Sequence, residues 1–158
     1  VAERSGSTVD IRIGPVTPAN RALVTALQLA PEQMDFVASN AASLREAKSD
    51  RGARPRAVMA GEQIVGFVMY EAPRDDDEAR IYRLMIDRAW QGRGYGKAAL
   101  REVLKEIGGL GHIRHVSICY EPENEAARRL YRSAGFVEQG LDEDGEMIAD
   151  LILPTGHR

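Results

Sequence analysis

A disulfide framework is missing from this chain, because its 158 residues contain a single cysteine, Cys119. A secreted scaffold stapled by cystines is thereby excluded, and a reducing cytoplasm is the expected compartment. Histidine is nearly as scarce: the chain has three, His112, His115 and His157, at no spacing that resembles a zinc site, and no metal is expected. No apolar run approaches the ~20 residues a membrane-spanning helix needs, so no membrane partner is expected. Val1–Thr8 is polar and lacks the apolar centre of a signal peptide; it is expected to be a disordered tail or a remnant of expression. A basic excess is also absent. Lys plus Arg is 21 against 24 Asp plus Glu, a net charge of −3, which argues against nucleic acid as a partner.

The chain does contain the material for one ordinary core. Hydrophobic residues make up 44% and charged residues 28%, a balance that excludes wholesale disorder. Its length fits one domain of ~100–200 residues. Val9–Ile13 alternates apolar and polar, as a strand with one buried face does. Thr17-Pro18 is expected to cap a helix carrying Leu23, Leu27 and Ala30, which Pro31 interrupts. A second helix is expected over Gln33–Lys48, and Arg51–Pro55 is expected to be a turn-rich break. Ala57–Ala60 and Gln63–Tyr70, joined by Gly61-Glu62, predict a hairpin. Pro73–Glu78 is an acidic loop, and Arg80–Ile86 a further strand. Apolar residues at helical spacing from Tyr95 to Ile107 predict a helix ended by Gly108-Gly109. A strand over His115–Tyr120, a helix over Asn124–Ser133 and strands at Phe136–Glu138 and Met147–Leu153 complete the chain. The order is that of a mixed α/β (α+β) single domain with an antiparallel front half.

Gln91-Gly92-Arg93-Gly94-Tyr95-Gly96-Lys97 lies between a predicted strand and a predicted helix. Free backbone N–H groups of such a loop, together with those of the helix start, form an anion cradle. Glycine allows positive φ and a close approach of backbone to phosphate oxygens. Arg93 and Lys97 offer charge. A Walker loop would follow its lysine with Ser or Thr, whereas Lys97 is followed by Ala98. A dinucleotide fingerprint would carry a third glycine where Lys97 stands.

The second motif is Asn124-x-x-Ala127-x-x-Leu130-Tyr131-x-x-x-Gly135-Phe136. Asn124 suits a helix N-cap, and Ala127, Leu130 and Tyr131 share one helix face. Joined to the Gln-x-x-Gly-x-Gly loop, this pattern resembles the GNAT superfamily of acetyl-CoA-dependent N-acetyltransferases over the whole chain from Val9 onward. The resemblance implies a single N-acetyltransferase domain over residues 9–158. Its fold would be a mixed, mostly antiparallel sheet of about six to seven strands flanked by about four helices. It implies acetyl-CoA as cosubstrate, with Gln91, Gly92, Arg93, Gly94, Tyr95, Gly96 and Lys97 around the pyrophosphate. Backbone of Leu84, Met85 and Ile86 would meet the pantetheine arm and acetyl carbonyl, and Asn124 would contact the pantetheine or pyrophosphate region. Tyr131 would protonate the departing thiolate. Glu71 and Tyr82 are candidates for the general base or for substrate contacts.

The acceptor is read from weaker features. The protein N-terminal acetyltransferase branch often carries a glutamate five residues before the motif asparagine, where this chain has Cys119. The N-terminal half is similar to bacterial spermine/spermidine acetyltransferases at Val16-Thr17-x-x-Asn20-Arg21, Gln33-x-x-Phe36-Val37 and Val65-Gly66-Phe67-x-Met69-Tyr70. Gln33 and Phe36 are the expected acceptor contacts. Two acidic runs, Asp75–Glu78 and Asp142–Glu146, would attract a polycation or stand as solvated loop tips. A polyamine or small diamine is therefore the expected substrate. An aminoglycoside-type drug, an amino acid, a protein amine, or a non-catalytic acyl-CoA-sensing role are the alternatives. A homodimer is the default assembly, since it is the commonest oligomer.

Overall fold

The structure, a computed structural model, describes residues 10–29, 40–49 and 52–154. The elements follow the expected order: β1 (Ile11–Pro15), α1 (Arg21–Thr25), α2 (Asn40–Ser49), β2 (Ala53–Ala60), β3 (Gln63–Glu71), β4 (Glu78–Ile86), α3 (Tyr95–Gly108), β5 (His115–Tyr120), α4 (Glu125–Ser133), β6 (Val137–Leu141) and β7 (Met147–Ile152). They form one seven-stranded sheet in the order β1-β2-β3-β4-β5-β7-β6. Every neighbouring pair is antiparallel except β4 and β5, which run parallel.

The sheet is covered on both faces because β3 is apolar on both. Val68 and Tyr70 face a core shared with α3 and α4, while Phe67 and Met69 face a second core with Val24 of α1 and Leu44 of α2. On α3, Ala99, Leu100, Val103 and Ile107 are fully buried. Each large aliphatic side chain on that stripe contributes about 1.5–3 kcal/mol. The helix is also pinned by Glu106, which accepts hydrogen bonds from Arg56 Nε at 2.9 Å and from the Tyr70 hydroxyl. Gly66 sets the distance between β3 and β4. A Cβ there would lie 2.5 Å from the Met85 carbonyl oxygen, so only glycine fits.

Three elements differ from expectation. β2 starts at Ala53 and runs through Pro55, where a break was expected. β1 pairs with β2 only from Arg56 onward, so Pro55 sits where that edge has no neighbour to bond. α1 ends at Thr25, because Gln28 uses its backbone elsewhere: its N–H donates to Asp87 Oδ1 at 2.7 Å and its carbonyl accepts from Arg88 N–H at 2.7 Å. Thr17 forms a turn closed on Asn20 and does not cap the helix; its N–H donates to Asn20 Oδ1 at 2.8 Å. The expected strand residue Val9, the tail before it and the first part of the expected second helix lie outside the described residues.

Two irregularities make the central opening. β4 pairs with β5 only from Glu78 to Ile81, opposite His115 to Ile118. β5 instead spends its whole length against β7. In β4, Tyr82 is an extra residue opposite the β3 step from Met69 to Tyr70. This bulge shifts the alternation of the strand. Ile81 lies in the α3–α4 core, whereas Tyr82 packs against the α1–α2 core and Arg83 bonds Ser43 of α2.

Candidate active site

The glycine-rich loop is fastened at its β4 end. Asp87 Oδ2 accepts from Ala89 N–H at 3.0 Å, starting a 3-10 turn over Arg88–Trp90. Gln91 Nε2 donates to the Ile86 carbonyl at 2.8 Å, tying the loop to the end of β4. Gly92 and Gly94 then take φ of 80° and 82°, a region that favours glycine. No side chain caps α3 and no acid occupies its first turn. Its first N–H groups therefore face the opening together with the positive end of the helix. Arg93 lies over the Trp90 ring at 5.0 Å, and Trp90 packs on Tyr95 at 6.0 Å between ring centres.

Where β4 and β5 part, two cavities meet. The first has a volume of about 250 Å³ and is walled by Leu84, Met85 and Ile86, the loop glycines, Gln91, Tyr95, Trp90, Leu29 and the α4 face. The second, of about 420 Å³, lies between β4 and β5 and is walled by Arg80, Tyr82, Arg83, Cys119, Tyr120 and Glu146 among others. Leu84, Asn124, Ala127 and Tyr131 belong to both walls and form the partition. Asn124 caps α4, its Oδ1 accepting from Ala127 N–H at 3.2 Å, which fixes the helix start at this partition.

Tyr131 is 6% exposed and lies between the rings of Tyr120, at 5.5 Å, and Phe136, at 5.8 Å. Its hydroxyl has no hydrogen-bond partner among the described residues, although a buried polar group ordinarily has one. Burial, with Tyr120 as a lesser cause, pushes its phenol far above the usual range. It is therefore a neutral donor held ready at the junction of the two cavities. Tyr120, its neighbour, is committed elsewhere: its hydroxyl donates to Glu138 Oε2 at 2.7 Å, and Arg128 holds that carboxylate at 2.8 Å.

The structure thus brings together Leu84, Met85, Ile86, Gln91, Gly92, Gly94, Tyr95, Gly96, Asn124 and Tyr131 on the first cavity, and Tyr82 on the second. Arg93 and Lys97 stand at the loop rim without walling either cavity. Glu71, at the end of β3 opposite Arg80, reaches neither. Gln33 and Phe36 lie outside the described residues. The acidic run 75–78 is tied to itself and to β5: Asp76 Oδ1 accepts from the N–H groups of Asp77 and Glu78 at 2.8 and 3.3 Å, and Glu78 Oε2 accepts from the Ser117 hydroxyl at 2.7 Å. Leu29, Trp90, Arg80 and Arg83 also wall the cavities and were not expected there, whereas Glu146 belongs to the acidic run 142–146 that was expected to attract a polycation or stand as a solvated loop tip. Trp90 was signalled only by its place beside the loop. Arg83 had no local signal, since a bulge brings it in.

The sequence profile of the acetyltransferase (GNAT) family matches residues 22–136, which span the loop, the β4–β5 opening and Tyr131. The chain belongs to the acetyltransferase (GNAT) family. A spermine/spermidine N(1)-acetyltransferase of Bacillus subtilis is 30% identical over 147 residues, covering 89% of this chain and 97% of that protein. Among solved structures, an acetyltransferase from Thermus thermophilus superposes with a TM-score of 0.72 at 20% identity, over 90% of this chain and 97% of its own. An aminoglycoside acetyltransferase in complex with coenzyme A and kanamycin gives 0.76 at 16%, over 90% and 95%. These likenesses agree with the mixed, mostly antiparallel sheet. The GNAT chain is an acyltransferase that acetylates amines.

Proposed function

We propose that the chain transfers the acetyl group of acetyl-CoA to a primary amine of a polyamine or small diamine, by direct attack in a ternary complex. Acetyl-CoA, when bound, supplies the acyl group as an activated thioester. The residues present suit it: an uncapped helix start behind two positive-φ glycines accepts an anion, and the stretch of β4 that β3 pairs but β5 leaves open offers backbone groups beside an apolar cavity.

The observation that carries the reading is the Tyr131 hydroxyl, buried without a partner among the described residues in the wall between the two cavities. A group in that position donates its proton to a leaving sulfur on one side as an amine enters from the other. Backbone N–H groups of Tyr95, Gly96 and Lys97 hold the pyrophosphate. Backbone of Leu84, Met85 and Ile86 holds the pantetheine arm and gives the oxyanion a fixed donor. Gln91 and Asn124 keep the loop and the α4 start in place.

A polycationic acceptor is supported by the relative that matches nearly end to end and by the charge near the second cavity. Glu121, Asp142, Asp144 and Glu146 cluster at its β7 end, and Arg83, one of its two arginines, is already held by Glu46 at 3.0 Å. A second reading, an amino acid acceptor, has one observation in favour. Arg80 walls the same cavity and makes no ion pair among the described residues, which suits a carboxylate beside the amine.

The test is release of CoA thiol from acetyl-CoA against spermidine, spermine, putrescine, an aminoglycoside, lysine and an N-terminal peptide. Turnover is expected with spermidine or spermine. Turnover with lysine alone, lost in Arg80→Ala, favours the second reading. CoA binding without any turnover leaves an acyl-CoA sensor.

A further inference from the structure

We infer that Glu146 is the proton acceptor for the incoming ammonium group, across the cavity it shares with Tyr131. The inference rests on the acetylation of an amine and holds for any primary amine acceptor.

Position is the first argument. Glu146 directly precedes β7, and β7 lies against β5 with Met147 opposite Tyr120. The strand order therefore carries Glu146 to the open end of the β4–β5 gap. It is the only carboxylate among the described residues that wall the second cavity. Glu71 reaches no wall, and Tyr82 brings a phenol.

Freedom of the side chain is the second argument. The residue is held through its backbone, its N–H donating to Asp142 Oδ1 at 2.9 Å and its carbonyl accepting from Asp142 N–H at 2.8 Å. Its carboxylate makes no hydrogen bond or ion pair among the described residues. Facing it are Cys119 of β5, Glu121 just after β5, Asp142 and Asp144 of its own turn, and Arg80 and Arg83 of β4. Cys119 Sγ and single carboxylate oxygens of Asp142 and Glu146 lie within 4.8 Å of one another. The third argument is the buried, unpartnered Tyr131 hydroxyl in the same wall. It marks where chemistry takes place, and it supplies the donor that an acceptor must complement. Burial, then Glu121, Asp142 and Asp144, raise the Glu146 carboxyl above its ordinary 4.5, with Arg83 opposing. A raised carboxyl holds a proton more readily than an exposed one. Glu146 lies beyond the family match at residues 22–136.

The protons balance. The ammonium gives one proton to the Glu146 carboxylate. The freed nitrogen pair forms the C–N bond as the C–S bond breaks, and the sulfur takes the Tyr131 hydroxyl proton. The second proton on nitrogen returns to the Tyr131 oxygen. Glu146 releases its proton to solvent.

The test is kcat/KM against pH for the full chain, with acetyl-CoA and the best acceptor of the panel, comparing wild type, Glu146→Gln and Glu146→Asp. Wild type is expected to lose activity in acid with an apparent pKa above the ordinary carboxylate range. Glu146→Gln should lower kcat/KM about 10²-fold or more at pH 7. It should flatten the acidic limb and recover part of the loss as pH rises toward the amine's own pKa. Glu146→Asp should restore part of the rate, and KM for acetyl-CoA should stay unchanged. Melting should be unchanged or slightly higher in Glu146→Gln, because a raised carboxyl costs stability once it ionises. An active wild type whose Glu146→Gln variant keeps the same rate and acidic limb overturns the inference alone. So does a variant changed only in melting temperature or in acetyl-CoA KM. A wild type that binds CoA but turns over no amine overturns the proposed reaction, and the inference with it.

Discussion

Tyr70 and Tyr131 are equally removed from water, at 0% and 6% exposure, and differ in what their hydroxyls meet. Tyr70 donates to Glu106, which Arg56 also holds, and the guanidinium groups of Arg54 and Arg56 lie 5.9 Å from its ring centre. That hydroxyl is used up in joining β3 to α3. Among the described residues, Tyr131 has two aromatic neighbours for its ring and no partner for its oxygen. A satisfied buried hydroxyl holds structure together, whereas an orphaned one costs stability in the free protein, and in the proposed reaction it is the one that meets the leaving sulfur.

The largest expected effect separates the two by rate. Tyr131→Phe should lower kcat by about 10²–10⁴-fold, with KM for acetyl-CoA little changed and the melting temperature unchanged or higher. An equal loss of kcat in Tyr70→Phe would dissolve the contrast. Steady-state kinetics on both variants decides it. The next effect separates them by stability. Tyr70→Phe should cost about 1–3 kcal/mol, a melting shift of about 2–4 °C per kcal/mol, and leave kcat within about twofold. A thermal melt is the measurement.

Tyr120 sharpens the comparison as an intermediate case, and its effect should be smallest. It donates to Glu138, whose carboxyl Arg128 and then Tyr120 hold down to about 2 from an ordinary 4.5. A depressed carboxyl stabilises the fold above its unfolded pKa, and that stability is lost as pH falls through the folded value. Arg128→Ala should therefore melt slightly below wild type at pH 6, with the difference shrinking between about pH 4.5 and 2. Melts across that range check it. A difference that persists at pH 2 would show that Arg128 acts through packing.

The sequence could not have ranked these tyrosines by itself. Each stands in an apolar pattern, and only the resemblance carried by Asn124-x-x-Ala127-x-x-Leu130-Tyr131 pointed to one of them. Local physics was enough elsewhere. The apolar stripe of α3, the Asn124 cap and the glycine loop are set by near neighbours in the chain, and the strand β5 appears over its expected residues. Features that depend on a partner strand were hidden. Pro55 suits a strand only because β1 stops beside it, and Arg83 faces α2 only because β4 slips by one residue. Glu146 belongs to the site only because β7 inserts between β5 and β6. The acidic runs at 75–78 and 142–146 look alike as sequence, but only the second carries a residue on a cavity wall.

The bulge at Tyr82 acts as a phase slip in a period-two signal. Upstream of it β4 presents one set of side chains to each face of the sheet, and downstream the sets are exchanged. One residue added to or removed from this strand would therefore exchange the sheet face met by each side chain as far as Ile86. The turn at 142–145 sits outside any such count and can change length without inverting a strand.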